Sequence, residues 1–190
     1  VIGAVIESLH ERGYEKTTAT LLARQAGVSK SDIYKAFASK DECFIAAYED
    51  AVERLRQYVL GAANAASGGW PLQVCAGLRA LLRFLAADPP TANLLLIEGL
   101  RAAPETHELF QDAMRSFVPY LRQGWPAPEE RSRPPEAVDE AVVGGLVSLL
   151  CRRAESGETE QLEEFFPEIA EFVLSPYLGP AKARRIISAG

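Results

Sequence analysis

Apolar residues recur at three- and four-residue intervals along nearly the whole chain, and no stretch alternates strictly between bounding hairpin turns, so the pattern predicts an all-α protein. The first expected helix buries Ile2, Val5, Ile6 and Leu9 and stops at Gly13, a residue suited to the backbone that follows a helix end. The pattern is already running at Val1, so a preceding segment is expected. A second helix starts at Thr17-Thr18, where a hydroxyl can cap free backbone N–H groups, and ends before Gly27. A third starts at Ser29 and runs to about Phe37. Ser39-Lys40-Asp41-Glu42 then reads as a capping box opening a long fourth helix to about residue 66.

Beyond the break at Ser67-Gly68-Gly69, Trp70-Pro71 begins a helix with the apolar stripe Leu78, Leu81, Leu82 and Leu85. Asp88-Pro89-Pro90 and Ala103-Pro104 punctuate the next two helices, and residues 124–135 form a loop rich in proline and charge. Two helices are expected to close the chain. The first, about residues 136–155, is apolar on more than one side around Val142-Val143-Gly144-Gly145-Leu146-Val147 and therefore needs two partners. The second buries Leu162, Phe165, Phe166, Ile169 and Val173. No internal repeat or low-complexity tract interrupts this series.

Composition narrows the class. With 190 residues, 48% hydrophobic and 24% charged, the chain is long enough for a small N-terminal module and one larger helical body, each with a core. The net charge of −6 does not by itself point to nucleic acid. Its distribution does: between Arg12 and Lys40 six basic residues face only Glu15 and Asp32, so this stretch carries +4 and the remainder −10. Cys43, Cys75 and Cys151 are odd in number, far apart and without a CxxC pair, which implies a reduced, cytoplasmic protein. No apolar run approaches the roughly 18 residues of a membrane span, and no export signal is present, so no membrane partner is expected.

The stretch from Gly13 to Phe44 carries the chemistry. Ala23 is small where two helices must cross closely, Gly27 permits a tight turn, Val28 is placed to plug the corner, and Ser29 caps the next helix. Ile33 and Phe37, four residues apart, turn one face of that helix to the core. At about 100° per residue, Ser31 and Lys35 then point outward with Asp32 and Tyr34 on the flanks, a short polar face suited to a DNA major groove. The combination Gly13-Tyr14, Thr17-Thr18, Ala26-Gly27-Val28-Ser29, Ile33-Tyr34, Phe37 and Ser39-Lys40 resembles the TetR family of transcriptional regulators. The resemblance covers about residues 1–48 and departs at Ser31-Asp32, where the family often has Gly-Thr.

The resemblance implies a three-helix helix-turn-helix DNA-binding domain at 1–48 and a helical ligand-binding and dimerisation domain at 49–190. It implies that Thr18, Tyr34 and Lys40 contact backbone phosphates, and that Lys30, Ser31, Asp32 and Lys35 lie where bases or nearby phosphates are met. The expected partners are double-stranded operator DNA bound as a homodimer and a small-molecule effector, with repression the default outcome. Two positions stay open on the residues themselves. Asp32, three residues after Ser29, suits a cap as well as a cytosine amino group, and Tyr34 suits packing as well as a phosphate.

In the body, Leu78, Leu82, Phe84, Phe110, Met114 and Phe117 stand at helical spacing, as core packing or as the wall of an effector pocket. Arg79 and Arg83 share one side of a helix and could hold an acidic effector. His10 and His107 lack the partners of a metal site, and the glutamates from Glu158 to Glu171 flank an apolar stripe as a solvated face. No nucleophile, base and orienting group assemble, and no metal or cofactor is called for, so an enzyme is not expected. A helical binding protein without DNA affinity is the alternative of another class.

Overall fold

The computed structural model describes residues 1–99, 104–123 and 135–189, and every regular element among them is helical. The N-terminal unit comprises α1 (Ile2–Lys16), α2 (Ala19–Ala26) and α3 (Lys30–Ala36). Helix α4 (Lys40–Ala65) leaves this unit and runs through the body beside α5 (Trp70–Ala87). The body continues with α6 (Pro89–Asn93), a π-helical turn (Leu94–Glu98), α7 (Pro104–Gln123), α8 (Glu136–Glu155), a 3₁₀ segment (Thr159–Phe165), α9 (Phe166–Leu178) and α10 (Pro180–Ala189).

Local chemistry explains the boundaries. Thr18 caps α2 by accepting a hydrogen bond from the Leu21 N–H at 3.3 Å, while Thr17 is buried and donates to the Gly13 carbonyl at 2.9 Å. The adjacent threonines thus divide the cap from the core contact. Gly27 ends α2 at φ +67°, and the Val28 N–H closes the turn on the Ala23 carbonyl at 3.0 Å. Val28 itself is 37% exposed. It does not plug the corner, because the turn is closed by backbone and the left-handed glycine turns the next side chain outward. The fourth cap also differs in detail: Ser39 Oγ accepts from the Glu42 N–H at 3.1 Å, but Glu42 reaches past Ser39 to the Ala38 N–H at 2.7 Å.

The C-terminal end departs from the sequence pattern. The apolar segment after residue 158 is a 3₁₀ stretch followed by α9, with Pro167 in the first turn where its missing N–H costs nothing. A further helix, α10, follows Gly179 and docks Ala183 against α9 and α5. Its polar faces hid it from an apolar-period search. The proline- and charge-rich stretch at 124–134 and the Ala103-Pro104 junction lie outside the described residues. Leu82, Leu94, Leu162 and Leu174 form the solid centre of the body, and Val5, Leu9, Leu22, Ile33 and Phe44 that of the N-terminal unit. Among the described residues no single helix is long and apolar enough to cross a membrane.

Candidate nucleic-acid interface and effector cavity

Helix α3 is seated by Ile33, which is 1% exposed, and opened by a reciprocal cap. Ser29 Oγ accepts from the Asp32 N–H at 3.1 Å, and Asp32 accepts in return from the Ser29 N–H at 3.3 Å and the Ser29 hydroxyl at 2.6 Å. Lys35 Nζ donates to the other Asp32 oxygen at 3.0 Å. These hydrogen bonds, first the Ser29 hydroxyl and then Lys35, hold the Asp32 carboxyl below its usual range. Lys30, Ser31, Asp32, Tyr34 and Lys35 are all exposed, and Tyr34 is half-exposed by area at 50% with the Lys30 ammonium 5.7 Å above its ring. The outward face contains the expected side chains, but its carboxylate is already engaged as a cap.

Lys40 is placed differently. Its ammonium donates to the Tyr14 carbonyl at 3.1 Å and stands 3.8 Å over the Tyr14 ring, so it is half-buried at the junction of α1 and α4. The Tyr14 hydroxyl donates to Asp41, and its ring meets Phe44 edge-on at 5.2 Å. Phe44 in turn stacks on Tyr48 at 6.3 Å. On the other side of Tyr14, its N–H donates to Glu98 Oε2 at 2.9 Å. That bond is possible because α1 breaks at Gly13, whose φ of +76° and ψ of 167° interrupt the helical hydrogen bonding. Sequence reasoning singled out Tyr14 only as part of a pattern and missed Asp41 and Glu98, which sit 27 and 84 residues away from it.

The body encloses a cavity of about 370 Å³. One wall runs along α4 from Tyr48 to Asn64, 16 residues apart, or roughly 24 Å of helix at 1.5 Å per residue. Among the described residues no charged side chain lines it; the polar groups there are Tyr48, Asn64, Trp70, Gln73 and Tyr120. Tyr48 is 1% exposed and closes the inner end, whereas Asn64 and Tyr120 are exposed at the other. Burial raises the Tyr48 phenol above its usual range.

Of the expected wall residues, Leu78, Met114 and Phe117 line this cavity. Leu82, Phe84 and Phe110 do not: Leu82 is in the solid centre, Phe84 packs on Tyr58 at 5.8 Å, and Phe110 is buried in the core. Arg79 lies over the Phe166 ring at 3.7 Å and Arg83 pairs with Glu163 at 3.3 Å, so neither faces the space. The contributions of α4 and α8 were not foreseen, although Val52, Leu55 and Val59 stand at helical spacing on α4. The acidic face is partly neutralised, with Arg153 3.0 Å from Glu158 and Arg184 3.6 Å from Glu171. Among the described residues no cluster of potential ligands could hold a metal ion.

Residues 1–47 match the family model for bacterial regulatory proteins, tetR family. The chain carries the TetR-family domain. No curated protein matches the sequence. The fold as a whole is similar to that of the fatty acid degradation regulator FadR from Bacillus halodurans, with a TM-score of 0.80, 17% identity and 91% of this chain and 92% of that one covered. FadR from Bacillus subtilis in complex with stearoyl-CoA gives 0.79 at 15% identity, covering 94% and 96%. A TetR-like transcriptional regulator from Rhodococcus sp. RHA1 gives 0.62 at 18%, covering 87% and 90%. The TetR-family domain thus joins, through one continuous helix, a body built around an apolar cavity.

Proposed function

We propose that this chain is a ligand-responsive regulator of transcription, by default a repressor, that binds a pseudo-palindromic operator as a homodimer. The observation that carries the reading is the double role of α4, which leaves the TetR-family domain at Lys40 and forms a cavity wall from Tyr48 to Asn64. Two α3 faces must sit about one DNA turn apart, roughly 34–36 Å, to enter successive major grooves. An occupant that favours another tilt of α4 changes that spacing, and changes DNA affinity by its differential affinity for the two arrangements. In this reading Lys30, Ser31, Tyr34 and Lys35 meet bases and phosphates, Thr18 and Lys40 meet backbone phosphates, and Asp32 chiefly holds the helix start.

The effector is an elongated, apolar molecule, and a long acyl chain is the leading candidate. The cavity falls within the roughly 300–1,000 Å³ of small-molecule sites and is long in one dimension. A protein of the same fold, FadR from Bacillus subtilis, is known in complex with stearoyl-CoA. Because the described lining carries no charged side chain, a charged head would stay outside, where its hydration is kept. The test is selection of bound DNA from a random library, followed by titration of the complex with stearoyl-CoA. A symmetric site whose occupancy responds to micromolar stearoyl-CoA supports the reading. Failure to enrich any DNA leaves a helical binding protein, and an unresponsive complex removes the acyl effector.

A further inference from the structure

Two acidic side chains are deeply buried among the described residues, and they are treated differently. Asp139, 3% exposed, is matched by the Arg122 guanidinium and by the Tyr177 hydroxyl at 2.6 Å. Glu98, 9% exposed, has no cation within ion-pair distance among the described residues and accepts instead from the backbone N–H of Tyr14. Burying a carboxylate without a cation is costly, so packing alone gives no reason for an acid here. A leucine would serve a core contact better.

Its position supplies the reason. Glu98 closes the π-helical turn Leu94–Glu98, in which Leu95 and Leu96 form part of the cavity wall. A π turn is a rare form of helix that occurs mostly as a single turn and is frequent at functional sites. The opposite end of the bond is a weak point, since Tyr14 follows the break in α1 at Gly13. Tyr14 is gripped from both sides of its peptide groups: its N–H by Glu98, its carbonyl by Lys40. The same turn is anchored by Cys151 of α8, whose thiol donates to the Leu96 carbonyl at 3.0 Å.

We propose that Glu98 is the positioning residue that carries the state of the cavity to the DNA-reading unit. Occupation of the cavity presses on Leu95 and Leu96, shifts the π turn, and loosens the Glu98–Tyr14 bond. With that bond loosened, the segment after Gly13 and the Lys40 ammonium held on it are free to move, and the α3 face moves with them. This deepens the reading of the previous subsection and rests on it for the roles of cavity and α3.

The experiment separates the two. Glu98→Gln keeps an oxygen that can accept the Tyr14 N–H, whereas Glu98→Ala removes it. The cavity is filled without any ligand by Ala113→Phe, a buried wall position on α7, with Met114→Trp as the substitute should the first variant misfold. Hydrogen exchange at the Tyr14 amide and affinity for the library-selected DNA are then measured in all combinations. In the wild-type and Glu98→Gln backgrounds, filling should speed Tyr14 exchange at least tenfold and shift DNA affinity at least fivefold. In Glu98→Ala, exchange should already be fast and filling should shift affinity less than twofold. An unchanged Tyr14 exchange on filling, or a full response in Glu98→Ala, overturns the proposal. Should stearoyl-CoA prove inert, the acyl reading fails while the filled variants still judge Glu98; should no DNA be selected, the exchange measurement judges it alone.

Discussion

Ser29 and Asp32 exchange three hydrogen bonds at the start of α3, and the carboxylate is then shared with Lys35. The consequence for stability has a definite sign. A carboxyl held below its unfolded value stabilises the fold above the ordinary carboxylate range, and that contribution disappears as pH falls through the lowered folded value. Melting curves taken across acid pH should therefore lose part of their slope in Asp32→Asn. Ser29→Ala should cost about 1 kcal/mol, a fall in Tm of roughly 2–4 °C in a chain of this size. For DNA, Lys35→Ala should weaken binding and relax sequence preference with little change in melting, because its pair with Asp32 is exposed. Lys40→Ala should weaken all sequences alike and flatten the salt slope by about one phosphate contact. Unlike Lys35→Ala, it should also lower Tm, since Lys40 holds Tyr14. Burial pushes the Cys151 thiol up to about 11 and raises Cys43 and Cys75 as well. All three should react slowly with maleimide at neutral pH until the protein is unfolded. These residue roles were legible unevenly. The caps could be read because cap and N–H lie within three residues, whereas Glu98 and Tyr14 are joined only across the fold.

Glycines show how elements are ended and joined. Gly27 has φ +67°, and a methyl group at its Cα would meet only open space, so Gly27→Ala should destabilise through backbone strain alone, by about 1 kcal/mol or more. Gly61 in α4 has equally open surroundings but helical backbone, and Gly61→Ala should stabilise by roughly 0.5–1 kcal/mol. The paired melts distinguish conformation from crowding. On α8 the neighbouring glycines differ: a Cβ at Gly145 would meet the Phe172 ring at 2.6 Å, while one at Gly144 meets nothing within 4 Å. Gly145 thus admits a ring of α9, and Gly144 lies on an outward face with Ala141 and Ser148. Val147 and Leu150 point instead into the cavity wall, so substitutions there report on the cavity and not on an outer face.

For the molecule as a whole, the proposed homodimer is expected to use the outward faces of α8 and α9, where Phe172 is 38% exposed beside the small residues of α8. Light scattering of the wild-type chain at micromolar concentration should give twice the chain mass of 20.7 kDa, and Gly144→Arg should give the chain mass with an unchanged helical signal. Because Gly144 has free space in the single chain, loss of the dimer in that variant would report on the interface and not on folding. A monomeric wild-type protein would contradict the arrangement of two α3 faces on one operator.

The helical class, the positions of α1 to α5 and the outward set on α3 could be read from the amino-acid order alone, because helix periodicity and capping act over three or four residues and are written in adjacent letters. The basic N-terminal stretch was equally plain, since charge sums along the chain. Which apolar residues surround a space and which fill one waited on the fold: Leu78 and Leu82 are a single turn apart, yet the first lines the cavity and the second is solid core. So did the placement of Lys40 on Tyr14 and the reach of Glu98 across 84 residues to the break in α1. Such pairings depend on how helices cross, and the crossing is set by the summed shape of many side chains rather than by any short run of them.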